Sequence, residues 1–160
     1  MTSPAIIWIK LEPGQLKAMQ IGAVIMSVAA LVVACGLDFQ FYRGGRTPAG
    51  LIFAPTALLC LYHVVVGAKR RFHRWGYART GAELHVAHGV FVHTETSVAF
   101  HRVQHIDIAQ GPVERICGVW QLVLNTAGTR NSQIRLPGLS RETAETLRDE
   151  IRQHIRVDKE

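Results

Sequence analysis

AMQIGAVIMSVAALVVACGL, residues 18–37, is a run of 20 residues without a charge, interrupted only by Gln20 and Ser27. As a helix rising about 1.5 Å per residue it spans roughly 30 Å, the thickness of a bilayer's hydrocarbon core. A second run, PAGLIFAPTALLCLYHVVVGA at residues 48–68, adds 21 uncharged residues. Pro48 sits where a helix tolerates proline, in its first turn, and Pro55 is expected to kink the helix near its start. Two such runs would overfill the core of a 160-residue soluble protein. The sequence therefore predicts a transmembrane helical hairpin over 18–68, with spans at 18–37 and 48–68. The link Asp38–Thr47 carries Phe39, Phe41 and Tyr42, aromatic side chains suited to the headgroup layer.

Charge divides the chain at the same place. Residues 1–71 hold seven basic and two acidic residues, a net +5 of the total +6; residues 72–160 hold eleven against ten. The excess thus flanks the apolar runs and forms no basic face on the remainder, which argues against a nucleic-acid partner. Lys69, Arg70, Arg71 and Arg74 crowd the exit of the second run, whereas the link offers only Arg43 and Arg46. The positive-inside tendency places residues 69–160, and with two crossings the N-terminus, in the cytoplasm. The expected address is a bacterial inner membrane, multi-pass, with both termini cytoplasmic.

Two other features of the apolar half bear on this assignment. Val32-Val33-Ala34-Cys35 resembles a lipobox, with Lys17 as the basic region; cleavage before Cys35 would give a lipoprotein. The second run and its basic exit argue against that, since the product would be anchored twice. Residues 1–17 contain Ile6, Ile7, Trp8 and Ile9, then Leu11-Glu12-Pro13-Gly14. They fit either an interfacial anchor with Trp8 at the headgroups or a short lead-in strand or coil packed on the following domain. Cys35, Cys60 and Cys117 have no CxxC spacing, so neither a disulfide framework nor a structural zinc site is indicated.

From Arg74 onward the hydrophobic period becomes two, punctuated by turn residues. Strands are predicted over 75–79, 83–88, 90–100 (bent near 94–96), 104–109, 119–126 and 132–136, with a turn at 127–131 and Pro137-Gly138 as the final stop. Ile106 and Ile108 face inward and His105 and Asp107 outward; Trp120, Leu122 and Leu124 share a buried face. Ser140 is a suitable N-cap for a helix over 141–155. Ala144, Leu147, Ile151 and Ile155 give that helix one apolar stripe, and its acidic residues lie early and its basic ones late. The expected fold of 69–160 is a mainly β domain, a bent six- to seven-stranded sheet or barrel covered by the C-terminal helix.

Several stretches together resemble the bacterial pleckstrin-homology-like membrane proteins of the YdbS-like family. They are Leu11–Gly14, Trp75-Gly76-Tyr77, the long stretch Arg102–Pro112, Arg115–Val119, Leu122–Gly128 and Ile134–Leu139. The resemblance implies a seven-stranded bent sheet closed by a helix, on small membrane-anchored modules working in protein assemblies. It brings no catalytic residues and no cofactor. The turn between the first two strands, Thr80-Gly81-Ala82, lacks a dense basic cluster, which weighs against inositol-phospholipid binding.

Candidate site residues are few. Arg102 and Gln104 are expected to point the same way from one strand and to form a polar contact surface for a partner; structurally, they would pair with a carboxylate and loop backbone. Lys69, Arg70, Arg71 and Arg74 should meet anionic headgroups, each contributing about 1 kcal/mol near a charged leaflet. His63, inside the second run, is read as a helix-contact residue. His85, His88, His93, His101 and His105 fall in a region of hairpins and, with Glu83, Glu95 or Asp107, could build a metal site; surface histidines are favoured, and no metal is predicted. There is no P-loop, GxGxxG or Ser-His-Asp constellation.

The chain is therefore read as a non-enzymatic, membrane-anchored interaction or scaffold module. It is partnered by the bilayer and by a membrane protein or its own copies. A lipid-headgroup or small-ligand sensor is the first alternative, a metal-dependent enzyme using the histidines the second. If the apolar runs face lipid, the intact chain should aggregate in plain buffer and become monodisperse in mild detergent on size-exclusion chromatography. A sharp detergent-free peak would remove the basis of the assignment.

Overall fold

A computed structural model describes residues 7–45, 48–90, 92–126 and 133–157, with side chains through residue 155. The first apolar run lies in a helix longer than its uncharged stretch. Helix α1 covers Pro13–Arg43, 31 residues, or about 46 Å at the usual rise. It takes in Lys17 at one end and Asp38 to Arg43 at the other, so the helix outlasts the expected span of 18–37. Glu12 is its N-cap residue and Pro13 opens its first turn, where the missing N–H costs nothing. α1 is the one described helix long and apolar enough to cross a membrane.

The second run is not a single α-helix, which corrects the expected span at 48–68. Pro48 lies outside any helix. Helix α2 begins later, at Phe53–Tyr62, giving way to a π-helical turn at His63–Gly67 and then to α3, Ala68–His73. The backbone is right-handed helical at each junction, with φ/ψ of −62/−42 at His63 and −64/−44 at Ala68. Pro55 occupies the first turn of α2, where the backbone N–H groups have no intrahelical acceptor. The irregularity expected at Pro55 sits instead at the π turn. Two bonds tie this segment to α1: the Ile52 amide donates to Asp38 Oδ1 at 3.3 Å, and Cys60 Sγ lies 3.8 Å from the Ser27 carbonyl. Arg46, in the link, lies outside the described residues.

The β half forms two three-stranded antiparallel sheets, ordered β1-β2-β3 and β4-β5-β6. The strands are β1 Gly76–Thr80, β2 Glu83–His88, β3 Thr94–Ala99, β4 Val103–Ala109, β5 Trp120–Thr126 and β6 Gln133–Leu139. Six strands are described, where the resemblance implies seven; the turn expected at 127–131 lies outside the described residues. The third strand is shorter than expected, and a 3₁₀ turn, Phe100–Arg102, separates it from β4. The irregular stretch before β5 contains a short helix, α4, Pro112–Cys117. β6 runs through Pro137-Gly138 instead of stopping there, its register shifting opposite Trp120–Leu122.

Alternation decides what fills the centre. Leu84 and Val86 from one sheet meet Leu122, Leu124 and Leu136 from the other, all at most 2% exposed. Helix α5, Arg141–Val157, supplies Ala144, Leu147 and Ile151 to this cluster, with Ile155 at its margin. Ser140 caps it: the Thr143 amide donates to Ser140 Oγ at 3.1 Å. Arg79 on β1 pairs with Glu150 on α5, an exposed ion pair of small weight.

The start of α1 belongs to this core. Leu11 is 4% exposed and packs in the central cluster. The Glu12 amide donates to the Gly138 carbonyl at 2.8 Å. A Cβ on Gly14 would lie 2.6 Å from the Cys117 carbonyl oxygen, and one on Gly138 would lie 2.7 Å from Gln15 Cβ. Gly138 also has φ +71°, a conformation that only glycine adopts without strain. The preceding residues add an edge to β1, Ile9 exchanging backbone hydrogen bonds of 2.7 and 3.0 Å with Tyr77. Of the described residues in the N-terminal segment, Ile9 and Leu11 join the domain, whereas the side chains of Ile7, Trp8 and Ile9 stay exposed.

Gly14→Ala and Gly138→Ala should each destabilise the chain by about 1–3 kcal/mol through overpacking and, at 138, backbone strain. Thermal unfolding in detergent checks this, with Gly22→Ala as the control because its added methyl meets nothing. Burial also holds the Tyr77 phenol above its usual pKa of 10.0, against a smaller opposing pull from Arg79. Above pH 10 the unfolded chain releases this proton first, so the unfolded state binds fewer protons and stability falls as pH rises. Tyr77→Phe should flatten that alkaline decline in denaturant titrations while leaving the curve at pH 7–9 in place.

Candidate functional site at the helix–domain junction

Helical periodicity normally separates residues eight apart by about 80° around the axis, since each adds about 100°. The π turn absorbs one extra residue, so across it a pair at i and i+8 is offset by only about 20°. Tyr62 therefore aligns with Arg70, and His63 with Arg71. The Arg70 guanidinium donates to the Tyr62 hydroxyl at 2.8 Å and lies 5.8 Å from its ring centre. Arg71 Nη2 lies 3.3 Å from His63 Nε2. Because a guanidinium can only donate, Nε2 is the acceptor. His63 thus forms its hydrogen bond within its own helical run.

The domain supplies the opposite wall. Trp75 lies two residues past the end of α3 and stacks on His88 at the end of β2, ring centres 4.8 Å apart and planes 20° apart. His88 Nδ1 is buried without a hydrogen-bond partner among the described residues. Together with Gly67, Gly89 and Val90 these side chains enclose a cleft of about 540 Å³. Of the four residues expected at the membrane surface, the structure brings Arg70 and Arg71 to this cleft and leaves Lys69 and Arg74 exposed outside it. Neither Arg70 nor Arg71 is paired with a carboxylate among the described residues. Tyr62, Trp75 and the π turn were not legible as site features; only the closeness of His63 to the basic run hinted at them.

Arg102 and Gln104 do not share a strand. Arg102 ends the 3₁₀ turn, and Gln104 occupies an irregularity in the β4–β5 register between Val103 and His105. The shift lets Gln104 and His105 both face solvent. Neither side chain, Arg102 or Gln104, hydrogen-bonds another described residue, so the expected carboxylate and loop-backbone partners are not found there. Gln104 lines a second cleft, about 560 Å³, with His105, Asp107, Asn125, Arg152 and Ile155.

The histidines of the hairpin region do not converge, and no group of three metal-ligating side chains forms among the described residues. His85, expected at the surface, is 9% exposed: Ser97 Oγ lies 2.7 Å from Nδ1, and Glu83 and Glu95 approach at 3.7 and 3.9 Å. His88 is occupied by Trp75, while His93, His101 and His105 are exposed.

Comparison with known proteins agrees with this architecture. Residues 16–155 match the family described as bacterial PH domain. The chain is 29% identical over 150 residues, 92% of each sequence, to the UPF0699 transmembrane protein YdbS of Bacillus subtilis (strain 168). No solved structure matches. The match of family to nearly the whole chain, on a fold with paired antiparallel sheets and a closing C-terminal helix, places this protein in the bacterial PH domain family.

Proposed function

We propose that this protein is a non-enzymatic, membrane-anchored interaction module whose PH-like domain binds a membrane protein or a second copy of itself at the cytoplasmic face. The carrying observation is the joint between α1 and the domain: Leu11 lies in the domain's core, and the first turn of α1 fits against Cys117 and Gly138. A domain mounted this way keeps one orientation to the bilayer, and tethering raises its effective concentration toward partners in the same membrane. Arg102 and Gln104, exposed and free of internal partners among the described residues, are the contact residues in this reading.

The helical run from Phe53 to His73 is the second crossing, lined outward by Leu58, Leu59 and Leu61, all more than 60% exposed. Its basic end sets both termini on the cytoplasmic side, in a bacterial inner membrane. Purification of the full chain in mild detergent should recover a fixed partner or a homo-oligomer at constant stoichiometry. Arg102→Ala with Gln104→Ala should weaken that association at least about tenfold, as expected for polar contacts within an interface, without lowering the unfolding temperature. A monomeric particle with no associated protein would oppose the proposal.

A further inference from the structure

We propose that the junction cleft between the π turn and the Trp75–His88 pair binds the phosphate of an anionic phospholipid, whose acyl chains lie along the exposed apolar face of α2. The inference rests on the membrane placement proposed above and adds to it a defined ligand site. Arg70 and Arg71 enter the same cleft, each with one hydrogen bond to a neutral group and no carboxylate among the described residues. A guanidinium carries five N–H donors, so both retain several for a further acceptor. A phosphate diester matches that need in charge and geometry, since two guanidinium forks can share its oxygens.

The remaining walls select the amphiphile over free phosphate. Tyr62, Trp75, Gly67 and Val90 make the cleft mainly apolar. It opens beside a helix whose Leu58, Leu59, Leu61 and Val65 stay unburied. Arg70 and Arg71 follow Val65 by five and six residues, about 8–9 Å along the helix, so polar donors and an exposed apolar surface adjoin on one helical run, as a headgroup phosphate adjoins its chains. The aromatic faces do not favour a choline group instead. The Tyr62 ring already carries the Arg70 guanidinium and Trp75 already carries the His88 ring, and two nearby cations repel a third. The π turn is what makes the site: without it Arg70 and Arg71 would leave their partners by about a quarter turn.

Native mass spectrometry of the full chain released from neutral detergent tests the site. Equal amounts of dioleoyl phosphatidylglycerol and dioleoyl phosphatidylcholine are added, with inorganic phosphate in a separate arm. One phosphatidylglycerol adduct per chain is expected, preferred over phosphatidylcholine by about tenfold. Arg70→Gln with Arg71→Gln should abolish that preference. Lys69→Gln with Arg74→Gln, which removes equal charge from the same surface outside the cleft, should keep it. Equal losses in the two double variants, or no selectivity in the wild type, would overturn the site. Displacement of the lipid by millimolar inorganic phosphate would overturn the lipid assignment in favour of a free anion. Should Arg70→Gln/Arg71→Gln not fold, the single variants Arg70→Gln and Arg71→Gln must each weaken the preference; full retention in both would equally defeat the proposal. The membrane reading fails by a different result, a detergent-free monodisperse chain, so the two failures are distinguishable.

Discussion

The structure depends on one close approach, the first turn of a membrane-type helix set against the backbone of a β domain. A side chain at position 14 would run into the Cys117 carbonyl, and one at 138 into Gln15. Absence of both lets α1 descend until Leu11 reaches the core and the Glu12 amide reaches the Gly138 carbonyl. Contact at this range gains dispersion energy along the whole turn, and the hydrogen bond satisfies a backbone donor that would otherwise be lost on burial. Ile9 and Tyr77 then extend the joint along the edge of β1, occupying hydrogen-bonding groups that an open edge would leave free. Helix and domain therefore share a core and cannot move as beads on a string.

That rigidity gives the second helical run its role. α2 and α3 return to the domain beside α1, and a helix of one uniform pitch would carry its two arginines around the axis to fixed places. The π turn changes those places by one residue's rotation. Such turns sacrifice regular hydrogen bonding and persist where the changed alignment is used. Here the alignment converts two charged side chains from scattered surface cations into a pair held at Tyr62 and His63, facing Trp75. The exposed leucines just before the turn follow the same logic. Each large aliphatic side chain left in water forgoes about 1.5–3 kcal/mol of burial, and a row of them on one helix marks a surface that lipid or a partner covers.

Much of this was legible in the sequence, and the failures have definite causes. The β2 limits, the Ser140 cap and the stripe Ala144, Leu147 and Ile151 follow from local rules: two-residue alternation, a capping hydroxyl, and three-to-four spacing. Hydropathy found both apolar runs but reads composition alone, so it could not see that α1 continues past Asp38, whose carboxylate takes the Ile52 amide. Nor could it tell a π turn from an α turn at His63–Gly67. Pro137-Gly138 looked like a strand terminator because that pair usually turns the chain. The register shift in β6 accommodates it, and the terminator is the capped start of α5. Arg102 and Gln104 were placed on one strand by counting in twos, a rule that takes no account of the 3₁₀ turn ending at Arg102. His85 was assigned to the surface by residue type, whereas Ser97 and two glutamates receive it.

The stretch Arg102–Pro112, which carries much of the family resemblance, can be divided by what its residues do inside the fold. Val103 is buried and Ile106 and Ile108 pack against the core. Gln110 donates its side-chain amide to the Val119 carbonyl at 3.1 Å, Gly111 precedes α4 and Pro112 opens it. Asp107 accepts from Asn125 at the limit of hydrogen-bond distance. These assignments account for the stretch by folding alone. Arg102, Gln104 and His105 are left over, being exposed and without a side-chain hydrogen bond among the described residues. A long basic side chain and an amide kept at the surface without internal bonds contribute little to stability, while an interface can use both. A family likeness spread over structural residues therefore transmits architecture; any shared recognition has to reside in the positions that folding does not consume.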